Sequence, residues 1–219
     1  IYASEAIEQT MGQYLERALA GGVLANFIGQ WDFAGMTLTV TPDTLIPRDD
    51  SMAVTELAIK TAMHLHAEPR VLDLCTGTGC IGLAVARRVK DARVVLGDVS
   101  PAAVRVAKKN VQDLHLGGRV TCLQVDVCKP AAAFLGKFDL IVANPPYITD
   151  AEMDDLPPEV ADYEPHLALR GGPDGLDLYR AILDNYTGAL NPGGFICFEF
   201  GMGQQDAVGA RGDLLAHDT

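Results

Sequence analysis

An α/β fold, with a doubly wound and mainly parallel sheet between helices on both faces, is the architecture this sequence predicts, and three features predict it. From residue 70 onward, short apolar runs alternate with helix-like runs, the pattern of a parallel sheet whose strands are joined by crossover helices. The first of these runs, residues 71–74, enters the glycine-containing turn Cys75-Thr76-Gly77-Thr78-Gly79 just before a helix-like segment. The fourth, residues 138–143, ends on Asn144-Pro145-Pro146-Tyr147. Ligands of open parallel sheets bind beyond the carboxyl ends of the strands, so both turns fall where a site belongs.

Taken in order, residues 4–20 place Ala6, Ile7, Met11, Leu15 and Leu19 near helical spacing and stop at Gly21-Gly22. Residues 31–41 alternate with period two around Ala34-Gly35, which reads as a hairpin closed by Thr41-Pro42-Asp43. Residues 51–66 read as a helix. Strands are then expected at 71–74, 93–97, 120–125, 138–143 and 195–200, and helices at 80–90, 101–114 and 175–189. Residues 148–174, rich in Asp, Glu and Pro, form the longest stretch without periodicity, and a loop of that length in a compact domain is commonly functional. Three segments result: 1–25, a short helical piece; 26–48, hairpin and linker; and 49–219, the α/β domain.

Composition narrows the function. With 17 Lys+Arg against 29 Asp+Glu the net charge is −12, and such a surface repels phosphate backbones and anionic membranes. Direct nucleic-acid and membrane binding are therefore not expected; a basic protein partner is compatible. The five cysteines (Cys75, Cys80, Cys122, Cys128, Cys197) form no CxxC pair, so neither a zinc site nor a disulfide framework is expected. Reduced thiols point to a reducing compartment, the cytoplasm. Among the histidines, only His64 and His66 lie close together; two residues apart on a predicted helix, they would face different ways, so no metal site is expected.

Gly77 and Gly79 allow a ligand to approach the backbone after the first strand. Residues 94–97 end at Asp98, 19 residues beyond Gly79, where a carboxylate can accept hydrogen bonds from both ribose hydroxyls. A dinucleotide is one reading, and Gly82 falls at the third glycine position by spacing. Asp73, however, suits a positive amino-acid moiety better than a pyrophosphate. S-adenosylmethionine has ribose, ammonium and sulfonium but no phosphate, and fits the two carboxylates. Thr76, Cys75, Val99, Asp126, Val127 and Asn144 complete the expected cofactor set, Asp126 either reaching the adenine amino group or standing as an exposed strand-end aspartate.

At Asn144-Pro145-Pro146-Tyr147 the two proline rings fix the backbone. The Asn144 oxygen and the Pro145 carbonyl can then accept from one planar –NH2 group, with Tyr147 flat against it. That combination suggests methyl transfer to an amide or amino nitrogen.

With these residues assembled, the chain resembles the glutamine side-chain amide methyltransferases of the HemK/PrmC type, which modify peptide chain release factors. The resemblance runs over residues 24–205, through Phe27-Ile28-Gly29, Leu45-Ile46-Pro47-Arg48, the turn before Gly79, Asp98-Val99-Ser100-Pro101 and Asn144-Pro145-Pro146-Tyr147. It continues into Leu156-Pro157-Pro158-Glu159-Val160, Tyr163-Glu164-Pro165, Leu167-Ala168-Leu169 and Gly171-Gly172-Pro173-Asp174-Gly175-Leu176, the most specific part. It implies a class I, Rossmann-like sheet of the seven-stranded type, here incomplete at its C-terminal antiparallel hairpin. It also implies S-adenosylmethionine as cofactor and a release factor as protein substrate, bound by Asn144, Pro145, Pro146, Tyr147 and Arg48, with 148–174 facing it. Asp49-Asp50-Ser51-Met52 follow Arg48 where the family has Pro-Glu-Thr-Glu, so that acidic role passes to Asp49 or Asp50, or specificity differs. Two related chemistries share the Asn-Pro-Pro-Tyr grip: adenine amino methylation on DNA or RNA, and glutamine methylation of a ribosomal protein. Glu199, on the last strand, either lines the cleft or ends the sheet.

Overall fold

The computed structural model describes Thr10, Gly12 and residues 24–209. The helix expected over 4–20 and the tail 210–219 lie outside the described residues. A short helix α1 (Leu24–Ile28) leads into the hairpin β1 (Gln30–Phe33) and β2 (Met36–Thr39), whose turn residues Ala34 and Gly35 both have positive φ, the turn that matches strand twist. Helix α2 (Ser51–His64) follows. It stops at His64, two residues short of the sequence expectation, so His66 lies beyond the helix end.

The main sheet is built from β3 (Arg70–Leu74), β4 (Arg93–Asp98), β5 (Val120–Gln124), β6 (Phe138–Ala143) and β9 (Leu190–Phe198), in the order β5-β4-β3-β6-β9 with all pairs parallel. Helices α3 (Cys80–Arg88) and α4 (Pro101–Asp113) make the crossovers to β4 and β5. Strand order reverses between β3 and β6, which is where such sheets hold ligands. The sequence reason is plain in the burial. All six residues of β6 are buried, as befits a central strand covered on both faces, while the edge strand β5 alternates, with Thr121 and Gln124 exposed. Helix α4 is started by Pro101 at its first turn and by Ser100, whose hydroxyl accepts from the Ala103 amide at 3.2 Å.

Two apolar layers flank the sheet. Val71, Val94, Leu96, Leu140 and Val142 face α2, α3, α4 and the hairpin; Leu72, Leu74, Ile141 and Ala143 face the opposite layer with Ile182 and Tyr186 of α6 (Asp177–Tyr186). Period-two alternation along β3 therefore turns Asp73 toward α3.

Residues 148–174 are a correction to the expected structureless stretch. They carry β7 (Ile148–Thr149), α5 (Pro158–Ala161) and β8 (Arg170–Gly172), with β7 and β8 paired in parallel, and 3-10 turns at Glu152–Asp155 and His166–Ala168. These pieces are too short to show periodicity in sequence. The last strand is also corrected: β9 starts at Leu190, through Asn191-Pro192-Gly193-Gly194, and ends at Phe198, with a register shift against β6. The final helix, α7 (Gln205–Gly209), closes the described chain.

One buried side chain ties the hairpin to the sheet. Asn110 of α4, 1% exposed, accepts from the Thr39 amide at 2.7 Å and donates through Nδ2 to the carbonyls of Thr39, at 3.0 Å, and Thr78, at 2.9 Å. Replacing it by Leu leaves three backbone groups without their partner. Asn110→Leu should lower stability by about 2–4 kcal/mol, read as a shifted urea midpoint, with an unshifted midpoint contradicting the role given to this bracket.

Candidate functional site

The carboxyl ends of β3, β4, β5 and β6 open into one cavity of about 240 Å³. Its floor is the turn Cys75-Thr76-Gly77-Thr78, its sides carry Asp98, Val99, Asp126, Val127 and Asn144, and Thr44, Leu45 and Pro47 wall it from the segment after the hairpin. Pro165, Leu167 and Ala168 line it from the segment between β7 and β8, so that segment roofs the cavity. Cys75, Thr76, Gly77, Asp98, Val99, Asp126, Val127, Asn144 and Pro146 thus converge as lining residues.

The turn is shaped by its own hydrogen bonds. Asp98 accepts from the Gly77 amide through Oδ2 and from the Ser100 amide through Oδ1, both at 2.9 Å. Burial pushes its carboxyl upward, opposed by those amides and that of Val99. Each carboxylate oxygen has a further lone pair, so hydroxyl donors can still be accepted. Cys75 sits at φ +56°, a left-handed conformation costing a non-glycine residue about 1–2 kcal/mol. A Cβ added at Gly77 would meet nothing within 4 Å, so the backbone there lies open.

Asp73 does not line the cavity. It is 1% exposed, and its Oδ2 accepts from the Thr76 hydroxyl at 2.7 Å and the Gly82 amide at 2.9 Å, while Oδ1 is buried without a partner. Desolvation pushes its carboxyl up to about 7, against the two hydrogen bonds. A Cβ at Gly82 would run into Leu96 and this same carboxylate, which is why α3 needs glycine there to pack on the sheet. Gly79 has φ +85° and starts α3; it is backbone support and does not face the cavity.

Asp126 lines the cavity while paired to Lys129 at 3.1 Å and accepting the Cys128 amide at 3.0 Å, and the Lys129 bond, then that amide, hold its carboxyl below the usual range. Pro145 is buried, and Tyr147 is half-buried behind Asn144. A Cβ on Gly201 would lie 2.9 Å from the Tyr147 ring, and one on Gly171 2.7 Å from its Cα; Gly175 packs against its carbonyl. The glycines of that tract exist because the Tyr147 backbone and ring cross there. Arg48 lies outside the cavity: its Nη2 donates to both oxygens of the buried Glu164, each at 2.9 Å. That ion pair joins the Pro47 wall to the Pro165 roof. Sequence reading missed Glu164 as its partner and missed Ser51, whose hydroxyl accepts from Asn144 Nδ2 at 3.4 Å. The signal available for Glu164 was its place in Tyr163-Glu164-Pro165; Ser51 had none.

The lining contains no Lys, Arg or His, and the Gly77 amide is already given to Asp98. A phosphate would find no cation in that lining and no free amide at Gly77. Carboxylates, carbonyl oxygens and apolar walls fit a nucleoside with a positive group. Among the described residues, no cluster of three or more His, Cys, Asp or Glu can hold a metal ion, and no helix is long and apolar enough to cross a membrane.

Residues 53–157 match the family model of the methyltransferase small domain. Proteins named release factor glutamine methyltransferase are similar over most of the chain. The Geobacter sulfurreducens protein is 43% identical over 187 residues, 84% of this chain and 63% of the relative. The Moorella thermoacetica protein is 42% identical, over 90% of this chain and 68% of the relative, and the Bordetella pertussis protein is 41% identical, over 94% and 74%. The chain spans 63%, 68% and 62% of the length of three such relatives, the third from Clostridium acetobutylicum. Among solved structures, the hMettl16 catalytic domain with the MAT2A 3′UTR hairpin 1 superposes with a TM-score of 0.59 at 16% identity, covering 76% of this chain and 62% of that one. TrmN from Thermus thermophilus gives 0.50 at 22%, covering 72% and 39%. At such identities the likeness shows the fold alone.

Two outcomes are expected. Because the folded-state value of Asp73, about 7, lies above its ordinary 3.8, folding takes up a proton between those values. Stability should therefore fall as pH rises from about 4 to about 7 and level off above, and Asp73→Asn, which keeps an acceptor for Thr76 and Gly82, should flatten that fall. Urea midpoints across the range decide it: equal slopes in both proteins contradict the burial argument. Arg48→Ala leaves the Glu164 carboxylate buried and unpaired and should cost about 1–3 kcal/mol by the same measurement, discounted for the half-exposed guanidinium.

Proposed function

The chain belongs to the release factor glutamine methyltransferase family, and on that premise we propose that it transfers a methyl group from S-adenosylmethionine to the side-chain amide nitrogen of a glutamine in the Gly-Gly-Gln loop of a peptide chain release factor. The observation that carries the reading is the meeting of Asp98 and Asn144 on one cation-free cavity at the β3/β6 reversal. Asp98 would hold the ribose hydroxyls, Val127 and Val99 would flank the base with Asp126 beside them, and the turn from Cys75 would lie against the amino-acid part. The unpartnered Asp73 Oδ1 behind that turn adds negative potential suited to an ammonium.

When bound, the cofactor supplies an electrophilic methyl group on a sulfonium. An amide nitrogen is a poor nucleophile because its lone pair is delocalised into the carbonyl. Asn144 Oδ1 and the Pro145 carbonyl accept the two amide N–H hydrogens and hold the nitrogen toward the cavity. Placement of this kind removes up to roughly 7–11 kcal/mol of barrier in favourable cases. The same two acceptors stabilise positive charge growing on nitrogen, more strongly once bound ligands displace water from the cavity. No general base is needed before the bond forms. The partner is a protein, and its place of action, the cytoplasm, is in keeping with five free thiols.

Labelled methyl transfer tests this with a purified release factor, its loop Gln→Ala variant and a DNA control. Label should enter the wild-type factor only; label on DNA, or on the Gln→Ala factor equally, contradicts the reading. Asn144→Ala should lower kcat by about 10²–10³-fold with cofactor affinity nearly kept. Asp98→Ala should instead weaken cofactor binding by about tenfold or more, from the loss of hydrogen bonds to a charged acceptor.

A further inference from the structure

Asn144 is useful only in one of its two amide orientations. With Oδ1 toward the cavity it accepts a substrate N–H; flipped, it presents hydrogens to hydrogens. Oxygen and nitrogen are nearly equal in size, so shape alone does not choose between the orientations. The choice must come from what lies behind the amide.

Behind it stands Glu199. Its backbone amide donates to the Ala143 carbonyl at 3.0 Å, placing it beside Asn144 at the ends of β9 and β6, and the Tyr179 hydroxyl donates to its carbonyl at 2.8 Å. Burial raises its carboxyl, the Ser51 hydroxyl and the Asn144 amide lie near enough to favour its charged form, and its Oε2 is buried with no partner. Asn144 Nδ2 also donates to Ser51 Oγ, at 3.4 Å. A carboxylate only accepts. Because the Ser51 oxygen accepts from Asn144 Nδ2, its own hydrogen is left for the Glu199 carboxylate, and the two acceptors together draw the –NH2 end of Asn144 inward.

We propose that Glu199, directly and through Ser51, is the positioning residue that fixes Asn144 with its oxygen toward the substrate, so that the site takes a group carrying N–H donors and rejects one presenting only acceptors. The assignment of the methylated group rests on the function proposed above; the orientation of Asn144 does not. Asp50 and Arg48 also lie in the electrostatic reach of this carboxylate, with opposite effects on it. Neither of them can replace an acceptor aimed at Asn144 Nδ2.

The test is Glu199→Leu in the full chain, which removes the acceptor, with Ser51→Ala as a second variant should the first fail to fold. In ¹⁵N spectra the Asn144 side-chain pair is identified by its loss in Asn144→Ala. In Glu199→Leu that pair should move, and its hydrogens should exchange with water about tenfold faster, the equivalent of one lost hydrogen bond. kcat for methyl transfer should fall about 10- to 100-fold while cofactor affinity by calorimetry stays within about twofold. An unmoved Asn144 pair with kcat unchanged overturns the proposal, as does a collapse of cofactor binding together with activity, which would mark Glu199 as merely structural. If the Asn144 pair moves as expected but the wild-type chain methylates no release factor, the positioning stands and the substrate reading fails.

Discussion

β3 and β6 pair in parallel with Leu74 opposite Ala143, so Cys75 and Asn144 leave the sheet side by side, and from that point their chains diverge toward opposite faces. That divergence opens the cavity. It also means that whatever the first turn holds and whatever Asn144 holds must meet at close range. The two grips proposed above, one for a nucleoside and one for a planar –NH2 group, are brought together by strand order. Every other element of the site adjusts this meeting point: α2 supplies Ser51 beneath Asn144, the segment after the hairpin supplies a wall, and the segment between β7 and β8 supplies a roof.

The turn after β3 is held by a buried carboxyl group that is expensive to ionise. Asp73 loses its hydration and recovers two hydrogen bonds on one oxygen only. A neutral side chain there would be cheaper for folding, and retaining the carboxylate fits a site that receives a positive ligand, where the potential is worth most in a low-dielectric surrounding. The same residue explains a packing constraint on the far side of the turn. Its carboxylate occupies the space a side chain at Gly82 would need, so helix, turn and charge are a single arrangement. Glu199 plays a similar part at the other grip: a desolvated acceptor, incompletely satisfied, behind the group that faces the ligand.

Much of this was legible before any coordinates. The central strands announced themselves because they are apolar throughout, as strands covered on both faces must be. Asp98 and Asn144 were legible because each directly follows such a run, at a chain position where parallel sheets place ligands. What escaped notice shares a physical cause. Arg48 and Glu164 are 116 residues apart, Ser51 and Asn144 are 93 apart, and Asn110 reaches 71 residues back to Thr39. Pairs at such separations leave no trace in local periodicity. Arg48 was expected at the substrate from its motif; its pairing with Glu164, which joins wall to roof, had no local signal. Residues 148–174 were illegible for another reason: their strands are two and three residues long, below the length at which alternation is visible.

In the proposed complex the nucleoside and the amide meet between Asp98 and Asn144. A crystal structure of this chain with S-adenosylhomocysteine and a Gly-Gly-Gln peptide tests it most directly. The predicted result has the ribose hydroxyls on the Asp98 carboxylate and the glutamine –NH2 group on Asn144 Oδ1 and the Pro145 carbonyl, with the amide nitrogen facing the sulfur. A nucleoside seated away from Asp98, or a glutamine amide turned away from Asn144, would contradict it.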